Sequence, residues 1–105
     1  MAIKVYWTHF AKTELKSIFD YYKINVSLKI ASSLVSGIVD KGDTLISLVK
    51  VGQKEEFLAD RKEEFRYLIF KNYKIIYWIN KNKNRVEITD VFDVRQNPLK
   101  LKRQK

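Results

Sequence analysis

Apolar and polar positions follow two different rhythms along this chain, and the change comes in a short mid-chain segment. In the first half the apolar residues recur every three or four positions. Ala11, Leu15, Ile18, Phe19 and Tyr22 form one stripe, with Lys12, Lys16, Asp20 and Lys23 on the other side. That spacing predicts an amphipathic helix of about four turns. Thr8 stands where its hydroxyl can accept a backbone N–H of the first turn, and Asn25 marks a stop. Ser27 is a second cap, followed by a second stripe of Ala31, Leu34, Val35, Ile38 and Val39. The stripe can be continued through Leu45 and Ile46, an extension that Gly42 weakens. So short a connection sets the two helices antiparallel, as a hairpin. Ahead of them IKVYW, residues 3–7, is rich in β-formers and predicts a first strand.

VGQKEEFLADRKEE, residues 51–64, holds a glycine and reads as a linker. Beyond it EFRYLIF, YKIIYWI and RVEITDVFD are strand-length and rich in β-branched and aromatic residues. Lys71-Asn72 suits a tight hairpin between the first two, and KNKN a four-residue hairpin between the second pair. The expected fold is therefore α+β. An N-terminal strand joins a three-stranded C-terminal meander in a small antiparallel sheet, with the helical hairpin on one face. The length fits one domain, residues 1–105, ending in a basic tail at about 99–105.

The middle strand of the meander is apolar on both sides. Ile75, Tyr77 and Ile79 point one way, and Lys74, Ile76 and Trp78 the other. Helices can cover one face. The second must meet the C-terminal segment or a partner, which makes Ile76 and Trp78 candidate partner-binding residues. Arg66 shares a face with Leu68 and Phe70. On the last strand Asp90 interrupts the parity of Val86, Ile88 and Phe92. Pairing with a buried base is the expected account, and a bulge that shifts the register is the alternative.

Charge sharpens the picture. Residues 1–60 carry 8 Lys+Arg against 7 Asp+Glu, whereas residues 61–105 carry 13 against 5. Nearly all of the net +9 lies in the second half. Such a field favours a polyanion or an acidic protein. The tail KLKRQK alone reads as a frayed, solvated end. No cysteine is present, which fits a reducing compartment. No signal peptide or membrane span is visible, and a cytoplasmic protein is expected.

Several chemistries are poorly served. The one histidine, His9, sits at a helix start and reads as a surface or capping residue, not a metal ligand. A nucleophile elbow and a phosphate-binding glycine loop are both missing, and neither cofactor nor metal is expected. Glu55-Glu56 and Glu63-Glu64 read as a solvated loop, with a general-base role for one of them as the alternative. What remains is Arg66, Lys71, Lys74 and Arg95, interleaved with Tyr67, Tyr73, Tyr77 and Trp78. Arginine grips phosphate with a planar fork, lysine adds a point charge, and aromatic rings stack on bases. The set could bind RNA as a nucleic-acid-binding module. It could also cleave RNA without metal, by stabilising charge as a 2′-hydroxyl attacks the adjacent phosphate. Equally, it could be edge lysines that discourage aggregation.

The opening VYWTHFAKTELKSIFDYY resembles the start of RelE/ParE-superfamily toxins, where a strand precedes a Thr- or Ser-led helix ending in a tyrosine pair. EFRYLIFKNYKIIYWI is similar to their paired central strands, and VEITDVFDVRQNP to their last core strand, which ends in a basic residue. The resemblance spans roughly residues 3–98. It implies the toxin of a type II toxin–antitoxin module, neutralised by a protein antitoxin that would take Ile76 and Trp78. It also implies one of two modes. RelE-like members cut mRNA on the ribosome through a metal-free basic site, which would here use Arg66, Lys74 and Arg95 as catalytic residues. ParE-like members block DNA gyrase by binding, and Arg66, Lys71, Lys74 and Arg95 would then contact target or phosphate. Lys74 stands in place of the usual arginine, Phe70 or Lys71 where nucleases carry a second arginine, and Leu101 where some carry a tyrosine. These departures, with the Tyr21-Tyr22 ending of the helix, favour the ParE-like mode.

Overall fold

The computed structural model describes residues 3–47 and 52–103. Val51 of the expected linker and residues 104–105 of the tail lie outside them. Strand β1 (Lys4–Trp7) leads into helix α1 (His9–Asn25), and helix α2 (Leu28–Asp43) follows. Both caps act as the sequence predicts. Thr8 Oγ1 accepts the Ala11 N–H at 3.2 Å, and Ser27 Oγ accepts the Ile30 N–H at 3.1 Å. Short strand β2 (Gln53–Lys54) precedes β3 (Arg66–Phe70), β4 (Tyr73–Asn80) and β5 (Arg85–Asp93). The β3–β4 turn puts Lys71 at φ 53°, and the β4–β5 loop puts Asn84 at φ 50°. Asn tolerates this left-handed region readily, while Lys enters it at some cost.

The strands form one five-stranded sheet in the order β1-β5-β4-β3-β2. The meander β3-β4-β5 is antiparallel, as the hairpin signals require. Two features depart from the sequence reading. β1 joins β5 in parallel, so the sheet is mixed. The segment read as a linker also supplies β2, which pairs with Arg66 and Tyr67. A two-residue strand of Gln and Lys carries no period to detect.

The main core lies between the helices and the sheet. Ala11, Leu34 and Ile38 pack against Leu68, Tyr73, Ile75, Tyr77, Val86 and Ile88. Gly42 does not end α2. It forms a notch for Trp7, whose ring fills the space a Cβ would need. Trp7 Nε1 then donates to Asp43 at 3.2 Å.

The register of β5 explains Asp90. The pairing shifts between Ile76 and Tyr77, so that Ile76 faces Asp90 while Tyr77 faces Ile88. The bulge at Thr89 was the alternative reading. It turns Val91 toward the helices and Phe92 toward the opposite face. Phe92 there joins Ile76, Leu58 and Leu101 in a second, smaller core. Leu101 comes from a 3-10 segment, Pro98–Arg103, so the basic end is docked through at least residue 103. Arg61 Nη2 donates to the Lys102 carbonyl at 3.2 Å, and Lys102 pairs with Asp60 at 3.1 Å.

This docking can be tested by truncating its anchor. Leu101 is fully buried, so Leu101→Ala should lower unfolding stability by about 3 kcal/mol. Chemical denaturation of the two proteins measures the difference. A loss under about 0.5 kcal/mol, the range of surface changes, would mean that the segment is not docked.

Candidate functional site

The four cations singled out from sequence do not converge. Arg66 lies on the helix face of the sheet, opposite Tyr77. Its Nη1 donates to the Gly52 carbonyl at 2.9 Å, and its Nη2 reaches Glu64 at 2.8 Å. The Gly52 N–H in turn donates to the Tyr77 hydroxyl at 2.9 Å. Arg66 thus pins β2 and its approach to the sheet.

Lys74 projects from the other face. Its Nζ sits 2.7 Å from Glu55 Oε1 and 4.3 Å from the centre of the Tyr67 ring. Glu55 is not the solvated loop residue the sequence suggested: its side chain is 1% exposed, and that of Lys74 is 17% exposed. The other carboxylate oxygen accepts the Phe57 N–H at 3.2 Å, capping a short 3-10 turn, Glu56–Leu58. The pair holds that turn over the second core. Ile76 lies fully buried in the same core, while Trp78 is half-buried. The cover that Ile76 seemed to need from a partner comes from Leu58 and Leu101 of this chain.

Arg95 does not join Lys74 on the second face of the sheet. It faces the opposite side, against α1. Its Nη2 lies 2.6 Å from Asp93 Oδ2, its Nε 3.0 Å from Oδ1, and its own N–H donates to Oδ1 at 2.9 Å. Asn72 Nδ2 adds a bond to Asp93 at 3.3 Å. The hydrogen bonds from Arg95 and Asn72 outweigh burial and hold the Asp93 carboxyl down to about 2. Arg95 is raised in turn by Asp93, yet its side chain stays 65% exposed. Lys71, exposed at the β3–β4 turn, stands at this same end of the sheet with Nζ 5.7 Å from the Phe70 ring centre. Arg66 is placed opposite Tyr77 and Arg95 just beyond Tyr73, so roughly 13 Å of strand separates them. With Lys74 on the far face, a single phosphoryl group cannot touch all three.

A cleft of about 340 Å³ opens beside Arg95, between α1 and the ends of β4 and β5. Glu14, Ser17, Tyr22, Tyr73 and Asp93 line it. Burial, with Tyr22 alongside, pushes the Tyr73 hydroxyl well above its ordinary range, so it stays protonated as a donor. Tyr21 and Tyr22 meet edge to face, with ring centres 5.3 Å apart. Sequence reasoning counted Tyr22 as helix stripe and Tyr73 as an interleaved aromatic. Their meeting depends on the register of α1 over β4, which no local motif encodes. The described residues hold no group of three or more His, Cys, Asp or Glu placed to bind a metal ion.

A helical hairpin on a five-stranded mixed sheet, with a cation–tyrosine cleft at one end, defines a small α+β domain. The sequence pattern described as "ParE toxin of type II toxin-antitoxin system, parDE" matches residues 5–98. The chain belongs to this ParE toxin family. Among solved structures it is similar to a chain from the chromosomal ParDE TA system of P. aeruginosa, with TM-score 0.74 and 18% identity. That likeness covers 89% of this chain and 97% of the other. No curated protein sequence matches.

Two measurements separate structural from ligand-binding roles. Glu55→Leu strands a largely buried ammonium and should cost about 3 kcal/mol, whereas Glu55→Leu with Lys74→Met should restore most of it. An equal loss in both variants would contradict the pairing. Asp93 is depressed in the folded state, so its contribution is complete above the ordinary carboxylate range and fades as pH falls through about 2. Asp93→Asn should therefore be less stable at neutral pH by about 1 kcal/mol, with the gap closing in acid. A gap independent of pH in denaturation curves would exclude the carboxylate as its source.

Proposed function

We propose that this toxin arrests growth by binding DNA gyrase, not by cutting mRNA, and that a cognate protein antitoxin neutralises it in the cytoplasm. The dispersal of the basic residues carries this reading. A metal-free nuclease needs several cations aimed at one phosphate, where charge develops in the transition state. Here Arg66 and Lys74 hold β2 and the 3-10 turn in place, on opposite faces of the sheet. Residues 1–105 then act as one toxin unit. Among the described residues no helix is long and apolar enough to cross a membrane.

Lys71 and Arg95 remain as target contacts. They flank the Asn72–Asp93 bridge, both exposed at one end of the sheet. The anchored Arg95 presents a fixed guanidinium beside the tyrosine cleft, suited to a carboxylate or phosphate of a larger surface.

Inducible expression in a bacterial host, with pulse labelling of DNA and protein synthesis, tests the reading. DNA synthesis should stop first and cells should filament. The purified protein should inhibit gyrase supercoiling, and Lys71→Ala with Arg95→Ala should weaken that inhibition by on the order of tenfold. Prompt loss of protein synthesis with cut transcripts would overturn it.

A further inference from the structure

Exposed apolar side chains concentrate at the turn of the helical hairpin. Five of the eleven large ones among the described residues lie there: Tyr21, Ile24, Val26, Leu28 and Ile30. Ile24 is 80% exposed, Val26 59% and Leu28 57%. Tyr21 and Ile24 stand three residues apart at the end of α1, so they share a face. Val26 and Leu28 carry the apolar run across the turn into α2. None of the five packs in either core.

The backbone of this tip is closed on itself. The Val26 and Ser27 N–H groups both donate to the Tyr22 carbonyl, at 2.9 and 3.0 Å. Asn25 Nδ2 donates to the Tyr21 carbonyl at 2.8 Å, and the Ser27 carbonyl accepts the Ala31 N–H at 3.1 Å. With these groups satisfied internally, the turn leaves water at a lower cost than an open loop would. Its charge has one sign. The charged residues between positions 21 and 39 are Lys23 and Lys29, both exposed. Asp20, just before them, is paired with Lys16 at 2.7 Å, and Glu14 lies about two turns back along α1. Tyr22 lines the cleft with Arg95, which places the tip at the Arg95 end of the sheet, where Asp93 is already paired with Arg95.

We infer that the hairpin tip docks on an anionic lipid surface. Ile24, Val26 and Leu28 enter the boundary between headgroups and acyl chains, Tyr21 sits at headgroup level, and Lys23 and Lys29 meet the lipid phosphates. The contact is interfacial and spans nothing. A second copy fits poorly, because tip against tip would oppose the same lysines with no carboxylate between residues 21 and 39 to pair them. A protein groove is also a weaker match. Leucine and valine are under-represented among the residues that anchor protein interfaces, whereas lipid takes up aliphatic groups in proportion to their area. This surface is separate from the gyrase reading and does not depend on it.

Co-sedimentation of the full chain with large unilamellar vesicles tests this. Vesicles of phosphatidylglycerol and phosphatidylethanolamine should bind it on the order of tenfold more tightly than phosphatidylcholine. Ile24→Ser with Leu28→Ser, both at exposed positions, should keep the wild-type melting temperature and bind the anionic vesicles on the order of tenfold more weakly. Lys23→Glu with Lys29→Glu should bind them several-fold more weakly. The chain holds no cysteine, so Ile24→Cys carries a single polarity-sensitive dye, whose emission should shift to the blue on the anionic vesicles. No binding to those vesicles overturns the inference. Wild-type binding by the serine variant, with no shift of the dye, also overturns it and leaves adhesion through the net charge alone. Without vesicle binding, a concentration-dependent dimer lost in the serine variant overturns it in favour of a second copy. Gyrase inhibition lost in that variant, again without vesicle binding, overturns it in favour of a protein groove.

Discussion

The central strand β4 is apolar on both faces, and the rest of the structure answers that constraint. Tyr73, Ile75 and Tyr77 face one way, and Ile76 with Phe92 of β5 faces the other. A sheet one layer thick would leave one of these sets in water, so two covers are required. The helical hairpin is the larger. The smaller is improvised from two 3-10 turns, each donating one leucine. The bulge at Thr89 makes this possible, because it lets β5 serve Ile88 and Val91 to the first core and Phe92 to the second.

Polar residues on this scaffold are used mainly to hold the covers in place. Lys74 and Glu55 tie one 3-10 turn to the sheet, and Arg66 with Tyr77 grips Gly52 at the edge. Asp93 fixes both the Asn72 turn and the Arg95 guanidinium. Side chains that look available for chemistry in a linear sequence are therefore largely committed.

The elements with a period or a punctuation mark were legible in the sequence. Thr8 and Ser27 announced the helices, and Lys71-Asn72 and the KNKN loop announced the hairpins. The parallel pairing of β1 was not legible, because strand direction depends on where a long connection returns the chain. Nor was β2, whose two polar residues add backbone hydrogen bonds alone. At the site, the cations that the sequence groups together are dispersed over both faces of the sheet. A strand's period of two says that Arg66 and Lys74 have opposite partners. It does not say that Arg95, two residues beyond the end of β5, swings toward α1. Glu55 was misread for a related reason: burial of a charged loop residue depends on a partner distant in sequence.

The committed carboxylates also explain where the positive charge is felt. Asp93, Glu55, Glu64 and Glu87 each neutralise a cation of the sheet or its edge. The surplus is therefore displaced from the sheet interior to the turns, at Lys71, Lys81 and Lys83. These exposed positions ring the structure at both ends of the meander instead of lining one groove. A continuous basic groove suits a polyanion that runs through it. Separated basic rims beside aromatic surfaces, Tyr22 and Tyr73 at one end and Tyr6 and Trp78 at the other, suit protein surfaces that each bring matched apolar and acidic groups. The two ends lie on opposite faces of the sheet, so neither surface is continuous with the other.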